Sequence, residues 1–291
     1  MAQSLRDIKD RMSSLEGSHK IVKAMKIIAT GNLRPAERSL LAAKDYAISL
    51  HHMIRSISEH LGRGAPPLMR RHGELKNFDV VVISSDQGLC GGFNENLMRN
   101  VLEGYEEHVS HGINMKLLVA GRRGIGYLKQ RGIDYIELPV RLKDPSFARM
   151  VSVEIAQLMC ERFLSRECDG SFIAFNSYIN TQVQKTTFWN LLPLHWRGHE
   201  RKYQYYIYEP ERDELLNRIC RLALEYTIMQ AILESNTAEQ AARITAMDAA
   251  SRNAKAVDDE LKLIYNRARQ EAITSELIDI INGSSVQLSI N

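Results

Sequence analysis

The sequence predicts an α/β protein in which two long helices, one at each end of the chain, accompany a compact domain with a mostly parallel sheet. Three observations indicate this architecture. Apolar stripes with helical spacing run along both ends of the chain, strand and helix signals alternate in its middle, and proline and glycine cluster between these parts. We therefore divide the 291 residues into a long helix at 1–61, a globular domain at 76–208 and a second long helix at 211–284.

The first long helix is predicted from apolar residues that recur at steps of three and four. At about 1.5 Å per residue, a helix over residues 3–60 would be roughly 85 Å long, which is more than a globular domain requires. The stripe is interrupted once by a shift in phase, after its fourth member. Its members are Leu5, Ile8, Met12, Leu15, Val22, Met25 and Ala29.

A kink or a local break is expected in this helix near residues 31–35. Pro35 inside a helix loses one hydrogen bond and clashes with the carbonyl four residues earlier, at a cost of about 3 kcal/mol. That carbonyl belongs to Gly31, which costs roughly another 1 kcal/mol relative to alanine.

The middle of the chain is predicted to be a Rossmann-like α/β domain. The loop at 62–73, with paired prolines and glycines, precedes it. Short apolar runs bounded by turn residues then alternate with helical patterns, which favours a mostly parallel sheet with crossover helices. The expected strands are Phe78–Ile83, Met115–Ala120 and Ser171–Asn176, and the expected helices are 94–109 and 146–168.

The second long helix is predicted from Glu211 to about Asn282. No proline follows Pro210, and Gly283 stands where a helix would end. About 70 helical residues would span roughly 105 Å. A strict three–four alternation near its middle indicates the seam of a coiled coil. The members of this seam are Ala254, Val257, Leu261, Ile264 and Ala268.

The two helices are expected to lie antiparallel, because both must pack on one domain. Residues 1–72 carry 13 Lys/Arg and 6 Asp/Glu, whereas residues 211–291 carry 9 and 13, so opposite charges favour the pairing. Two independent surface helices are the alternative. Long amphipathic stripes need burial, which disfavours it.

Composition excludes several classes of protein. A net charge of +3 gives no strong attraction to nucleic acid. No apolar stretch approaches the roughly 18–20 residues of a membrane span, and the N-terminus lacks the apolar core of a signal peptide. Four cysteines without C-x-x-C spacing are expected to be reduced thiols. They are Cys90, Cys160, Cys168 and Cys220.

The stretch SSDQGLCGGFNEN (84–96) follows an expected strand and precedes an expected helix, an order that many phosphate-binding loops share. However, no glycine in the chain is followed by lysine, so no P-loop is present. The second glycine-rich stretch, AGRRGIGYLK (120–129), has Lys129 where a dinucleotide fingerprint needs its third glycine. We expect no cofactor, and we interpret the glycines at 88–92 as the means of a tight strand-to-helix turn.

Catalytic and metal-binding patterns are weak. Ser84-Ser85-Asp86 has no histidine close in sequence. Histidines cluster at 51–52, 108–111 and 195–199. The last pair has helical i, i+4 spacing but no nearby cysteine or glutamate in ligand register, so we interpret it as surface histidines rather than as a zinc site. No active site is predicted.

Five segments together resemble the gamma subunit of F-type ATP synthases, the central rotor stalk. SSDQGLCGGFNEN resembles the signature segment of that family. DIKDRMSSLEGSHKIVKAMKIIAT resembles the start of its N-terminal shaft helix. IAFNSYINTQVQKTTFWNLLPL (173–194) resembles the strand and loop that close its globular domain, and YIYEP (206–210) the entry to its C-terminal helix. The densest likeness covers 235–285, which includes ARITAM and RQEAITSEL.

The resemblance implies a non-catalytic rotor subunit. Its shaft enters a ring of three alpha and three beta subunits, and its globular domain is a foot that rests with epsilon on the c-ring. ATP chemistry belongs to beta, and the chain meets the membrane only through the Fo sector. It also implies a peripheral location on the cytoplasmic face of the bacterial inner membrane. Whether protons or sodium ions drive the machine, and in which direction it mainly runs, stays open.

The resemblance also assigns roles to residues. Met25, Arg243, Gln270, Thr274 and Glu276 match positions tied to coupling with beta. Lys20, Lys23 and Lys26 form a basic shaft face toward acidic loops of beta, and Tyr206, Tyr208 and Glu209 match the foot near the c-ring and epsilon. The signature turn comprises Asp86, Gly88, Cys90, Gly91, Gly92 and Asn94.

The chain departs from the family pattern in three places. Gln87 stands where the family usually has arginine, ATGNLRPAERS (29–39) replaces an unbroken helix rich in serine, lysine and arginine, and the end SVQLSIN extends past the usual terminus. Two alternatives are kept. A coiled-coil scaffold would self-associate through its seam, and an α/β nucleotide-binding protein would bind nucleotide by itself.

Overall fold

The computed structural model describes residues 5–58, 65–72, 76–138, 147–194, 209 and 211–288. Two long helices and a sheet domain are present, as the sequence predicts. The helices are α1 (Leu5–Ser58), α2 (Phe93–Ser110), α3 (Arg122–Arg131), α4 (Ala148–Leu164) and α5 (Arg212–Leu288). The strands are β1 (Asn77–Ile83), β2 (Asn114–Ala120), β3 (Ile136–Glu137), β4 (Gly170–Tyr178) and β5 (Gln184–Leu192).

The chain divides into two compact units. Residues 29–245, the sheet unit, contain the sheet and the parts of α1 and α5 nearest to it in sequence. Residues 1–28 and 246–291, the coil unit, contain the first part of α1 and the last part of α5. In the part of the chain that the structure describes, no helix is long and apolar enough to cross a membrane.

The described strands form one sheet in the order β3-β2-β1-β4-β5. Strand β1 pairs in parallel with β2 and with β4, and Val81 lies between Leu118 and Ile173. Strand β5 is antiparallel to β4. The predicted strands and their parallel pairing are therefore confirmed. Helix α3 and strands β3 and β5 were not predicted, because α3 contains two glycines, β3 has two residues and β5 mixes polar with apolar side chains.

Helices cover the sheet on both faces. On one face, Val80 and Val82 pack with residues of α2 and α3 such as Leu97 and Leu128. The opposite face packs against α4, α5 and α1 in the larger core cluster. In that cluster Phe163 and Phe175 are fully buried, and each contributes roughly 1.5–3 kcal/mol of hydrophobic free energy.

In the sheet unit, α1 and α5 pack against each other and against β4. Leu50 and Ile54 of α1 are buried against Ala223 of α5, and the rings of Tyr46 and Tyr226 lie 4.2 Å apart. Strand β4 holds both helices by hydrogen bonds. Tyr178 Oη donates to Glu37 of α1 at 2.6 Å, and Ser177 Oγ donates to Glu234 of α5 at 2.7 Å.

In the coil unit, α1 and α5 form an antiparallel pair. The predicted apolar stripe of α1 faces α5, but the predicted shift in phase is wrong. His19 occupies the seam position between Leu15 and Val22, and Lys26 occupies the position between Val22 and Ala29, so the three–four alternation continues, with Met25 half-buried beside it. A polar residue at a seam position is easily missed when only apolar residues are followed.

The predicted seam of α5 is partly wrong. Ala254, Leu261 and Ala268 are half-buried, as expected, whereas Val257 and Ile264 are 45% and 40% exposed. Asp258 and Tyr265 take their places. Three shared positions fit both alternations. The side chains that face α1 continue the three–four spacing of Met247 and Ser251, which precede them on α5. Lys262 Nζ lies 2.5 Å from the carboxylate of Asp258.

Two predictions about helix continuity are corrected. Helix α1 runs without a break through Pro35, so a local break near residues 31–35 is wrong; a bend there stays a prediction. Pro35 is inside a helix of 54 residues, whose remaining hydrogen bonds and buried face offset its cost. Helix α5 does not end at Gly283 but continues to Leu288, because no proline follows.

Candidate functional site

The signature turn, residues 84–94, connects β1 to α2 at the carboxyl edge of the sheet. Its backbone is tightly held. Asn94 accepts a hydrogen bond from the Ser85 N–H at 3.0 Å and donates to Ser85 Oγ at 2.7 Å. Leu89 and Gly91 have φ angles of 62° and 61°. A leucine rarely adopts this left-handed conformation, so the turn stores on the order of 1 kcal/mol or more of strain that its surroundings must offset.

The next loop along the sheet edge contacts the signature turn closely. Ser84 Oγ lies 2.8 Å from the Ala120 carbonyl oxygen and accepts the Gly124 N–H at 2.9 Å. Gly121 has a φ of +97°, and a Cβ there would lie 2.2 Å from the Ser84 carbonyl oxygen. Only glycine therefore fits at this approach of two backbones.

Helix α5 covers the signature turn from the other side. Cys90 and Phe93 are buried against Ala238 and Ala242 of α5. At the end of this contact, Arg243 Nη2 lies 2.5 Å from Glu239 Oε1 and 3.4 Å from the Gly88 carbonyl oxygen. The turn is therefore packed on a helix of its own chain.

The glycine loop at 88–92 shares with phosphate-binding loops only the order of strand, loop and helix along the chain, and this arrangement explains why. In open α/β sheets, ligands bind outside the carboxyl ends of the strands where the strand order reverses. Here the order reverses at β1, because β2 lies on one side of it and β4 on the other. The crevice beside β1 contains α5, and Ser235 Oγ of α5 donates to the Ile83 carbonyl at 3.4 Å.

The charged pair beside the turn is largely desolvated. The Arg243 side chain is 6% exposed and that of Glu239 is 13% exposed. Burial raises the pKa of the Glu239 carboxyl, although the charge of Arg243 and its hydrogen bond act in the opposite direction. Burial also raises the pKa of the Cys90 thiol. Arg243 is therefore a partner of Glu239 and the turn rather than an exposed surface cation.

The residues matched to coupling do not form one cluster. In the coil unit, Met25 is half-buried on α1, near the turn of α5 that contains Asp248. Gln270, Thr274 and Glu276 are exposed on α5. Gln270 follows Asp248 by 22 residues, which corresponds to roughly 33 Å along a helix. Any partner that meets both regions must be extended along the helix pair.

The predicted basic face also separates into different environments. Lys20 is exposed and lies 2.8 Å from Glu16 of its own helix. Lys23 is exposed as well. Lys26 instead forms a hydrogen-bonded ion pair with Asp248 of α5, with both side chains about two-fifths exposed.

Some predicted positions cannot be placed. Tyr206 and Tyr208 lie outside the described residues, as do the histidines at 195 and 199. Glu209 is described and exposed.

Three polar contacts were not predicted from the sequence. Glu239 stands four residues before Arg243, a spacing that indicates a helical ion pair, yet it was not singled out. His19 Nε2 lies 3.0 Å from Ser251 Oγ across the coil unit. Neither this contact nor the partner of Lys26 has a local signal in the sequence, because the residues lie more than 200 positions apart.

Comparison with known proteins gives one consistent match. A family model described as ATP synthase matches residues 4–286. The ATP synthase gamma chain of Trichlorobacter lovleyi is 36% identical over 284 residues, which cover 97% of this chain and 98% of that one. The ATP synthase gamma chain of a Sulfurihydrogenibium species is 32% identical over 97% of both chains.

Solved structures share the fold. A chain from the Euglena gracilis mitochondrial ATP synthase, determined with OSCP, F1 and c-ring, superposes with a TM-score of 0.67. It is 18% identical and is covered to 94%, with 97% of this chain matched. A chain from the central stalk and c-ring structure of the Tetrahymena thermophila mitochondrial enzyme has a TM-score of 0.60 at 19% identity, over 79% of this chain and 99% of that one.

Proposed function

This chain belongs to the ATP synthase gamma-chain family, and from that membership we propose that it is the central-stalk rotor subunit of a bacterial F1Fo ATP synthase. It couples ion flow through the c-ring to ATP synthesis or hydrolysis at sites formed by the alpha and beta subunits, and it is not itself catalytic. The observation that carries this proposal is a match that covers 97% of this chain and 98% of a gamma chain.

The antiparallel helix pair of the coil unit supports a rotor. Two different helices side by side have no rotational symmetry, so three identical beta subunits around them meet three different surfaces. A conformational equilibrium shifts only when a partner binds its two states with different free energy. A rotating asymmetric shaft supplies that difference to each catalytic site in turn.

We assign direct contact with beta to Met25, Gln270, Thr274 and Glu276. The last three are exposed. They lie far from Met25 along the coil unit, and a ring of subunits that surrounds a long part of the shaft can contact both regions. Arg243 is 5% exposed, so its contribution to coupling is exerted from inside the sheet unit.

The exposed lysines support a surface that moves past its partners. Lys20 and Lys23 face acidic loops of beta in this proposal. Attraction between exposed charges is weak and is screened within about 8–10 Å at physiological salt. Such a surface attracts beta without holding the rotor at one angle. Lys26 contributes less to this face because Asp248 pairs with it.

The sheet unit is the foot of the rotor in this proposal. Glu209, together with Tyr206 and Tyr208, faces epsilon and the polar loops of the c-ring. The rotor is therefore peripheral, on the cytoplasmic face of the bacterial inner membrane, and meets the bilayer only through Fo. No cofactor is required, because the crevice beside β1 that a nucleotide would use contains α5.

Co-purification tests the assembly. A tagged chain is isolated from its own cells, and the eluate is assayed for subunit content and azide-sensitive ATP hydrolysis. We expect alpha, beta and epsilon with hydrolytic activity. A homodimer without them would instead support a coiled-coil scaffold, and nucleotide binding by the isolated chain would support the α/β nucleotide-binding alternative.

A matched pair of variants tests the contact with beta. Glu276→Gln is expected to lower ATP-driven ion pumping per ATP hydrolysed several-fold. Glu271→Gln changes a second exposed glutamate in the same segment of α5 and is expected to leave that ratio unchanged. Equal behaviour of the two variants would remove Glu276 from the coupling contacts.

A further inference from the structure

We propose that Arg243 is a positioning residue that fastens the signature turn to helix α5, so that load passes between the sheet and this helix while the rotor turns. The proposal rests on the rotor function above. Its parts are the guanidinium of Arg243, the carboxylate of Glu239 and the backbone carbonyl of Gly88.

The geometry gives the Arg243 guanidinium acceptors on two different elements. Its Nη2 reaches Glu239 Oε1 at 2.5 Å within α5 and the Gly88 carbonyl at 3.4 Å in the turn. Its Nη1 lies 3.3 Å from Gln240 Oε1. A charged group that is 94% buried needs such partners, because an uncompensated buried charge is strongly destabilising.

The rest of the contact cannot replace this link. Cys90 and Phe93 pack against Ala238 and Ala242, but apolar packing is non-directional and permits small sliding or rotation. A charge-assisted hydrogen bond has a direction and therefore fixes the rotation of α5 about its own axis at this point. The apolar patch keeps the two elements together, and Arg243 sets their angle.

The place of the link in the turn increases its effect. Gly88 directly precedes Leu89, whose left-handed backbone persists only where its surroundings over-determine it. Loss of the bond to Gly88 therefore allows the turn to relax toward a less strained conformation. Helix α5 packs on the turn through Ala238 and Ala242, so a looser turn gives a looser attachment of this helix to the sheet.

Arginine is required for this arrangement. Lysine at 243 would keep the charge opposite Glu239, but its single compact ammonium lacks the planar fork that serves several acceptors at once. The substitution Arg243→Lys therefore removes the hydrogen bond to the turn. It still leaves a positive charge opposite the buried carboxylate of Glu239. Arg99→Lys is the matched control, since Arg99 lies 4.0 Å from Glu103 on α2 and its side chain is 59% exposed.

The test uses the assembled enzyme and two measurements on each variant. Amide hydrogen exchange at residues 86–91 reports on the turn, and ion pumping per ATP hydrolysed reports on load transfer. For Arg243→Lys we expect exchange in the turn about tenfold faster. We expect pumping per ATP about threefold lower, with subunit content unchanged. Arg99→Lys should match the wild type in both measurements.

Two results would overturn the proposal. Exchange at wild-type rate would show that Arg243 does not hold the turn, and faster exchange with unchanged pumping would show a local brace without a role in load transfer. If the wild-type chain forms no complex with alpha and beta, the rotor function itself fails. In that case, amide hydrogen exchange in the isolated chain still decides whether Arg243 holds the signature turn.

Glu239→Gln provides a second route to the same conclusion. The glutamine keeps an acceptor oxygen but loses the charge that holds Arg243 in place. Because the two residues act as one pair, the double variant should alter exchange and pumping no more than the larger single effect. Additive effects would show that Arg243 and Glu239 act independently, which would contradict the proposal.

Discussion

Lys26 of α1 and Asp248 of α5 form an ion pair across the coil unit, although 222 positions separate them in the sequence. A second contact joins His19, seven residues before Lys26, to Ser251, three residues after Asp248, by a hydrogen bond of 3.0 Å. Polar partners at or beside the seam of a coiled coil specify register at some cost in stability. These two contacts therefore fix how the two helices of the coil unit are aligned.

The Lys26–Asp248 pair predicts a specific dependence of stability on pH. Lys26, with a smaller contribution from Arg252, lowers the pKa of Asp248 below its ordinary value of about 3.9. The contribution of this ion pair to stability is therefore fully present above the pKa of Asp248 in the unfolded chain. It is lost as the pH falls through the lower pKa of Asp248 in the folded chain. We expect Asp248→Asn to lower the melting temperature of the isolated chain at pH 7, with the difference shrinking as the pH falls below about 4.

The control for this experiment is Asp259→Asn, an exposed aspartate on the same part of α5. It should leave the melting curve nearly unchanged at both ends of the pH range. A difference between wild type and Asp248→Asn that does not vary with pH would contradict an electrostatic origin.

The seam of α5 can be tested by a pair of leucines. Leu261 is half-buried in the seam, whereas Leu263, two residues later, is 72% exposed. We expect Leu261→Ala to destabilise the isolated chain by about 1–2 kcal/mol, because it removes partly buried apolar area. Leu263→Ala should change the free energy of unfolding by less than about 0.5 kcal/mol. Denaturant unfolding of both variants measures this, and equal losses would refute the seam as described.

Substitution by alanine is predicted to have opposite effects on stability at two glycines. Gly121 is at the close approach of two backbones at the edge of the sheet, whereas Gly126 lies in α3. Gly121→Ala places a Cβ against the Ser84 carbonyl in a backbone with φ of +97°, so a loss of about 2 kcal/mol or more is expected. Gly126→Ala adds a methyl group inside α3 where nothing lies within 4 Å, so stability should rise by up to about 1 kcal/mol. Thermal unfolding of the two variants, compared with wild type, decides; a stable Gly121→Ala protein would be inconsistent with this loop geometry.

All four cysteines are buried, and this predicts slow thiol chemistry. Burial raises the pKa of Cys160 to about 11 and those of Cys168 and Cys220 to about 12. At pH 8 these thiols are almost entirely protonated, whereas the thiolate is the reactive form. We expect a chromogenic disulfide reagent to label the native chain slowly and the denatured chain at four thiols. Rapid labelling of the native chain would show that a thiol lies near the surface.

Local patterns sufficed for much of the fold. The strands β1, β2 and β4 each contain a run of four apolar residues, at 80–83, 117–120 and 172–175, which is typical of a buried parallel strand. Strand β5 has alternating partly exposed positions at the edge of the sheet, and its pairing with β4 depends on a hairpin rather than on a run of apolar residues. Pattern reasoning has little to detect in such a strand.

The phase of the α5 seam could not come from its own sequence. Ala254, Leu261 and Ala268 belong to both possible alternations, and hydrophobicity favoured Val257 and Ile264 as the remaining members. In the folded chain Asp258 and Tyr265 face α1 instead. Which alternation is used depends on contacts made from the partner helix, such as His19 with Ser251.

The candidate site shows the same limit. Resemblance marked the signature turn and Arg243 as separate features, one before the first helix of the domain and one on the last helix of the chain. Their contact depends on α5 lying across the end of β1, a relation between segments 155 residues apart. Only the fold reveals that these features form one structure.

Rotation of the chain inside its complex tests the central claim most directly. The alpha–beta ring is fixed to a surface, a visible probe is attached to the sheet unit through an added surface cysteine, and the probe is followed after ATP is supplied. The rotor account predicts continuous rotation in one direction that stops when ATP is removed. Steady ATP hydrolysis by the same complexes with a stationary probe would contradict it.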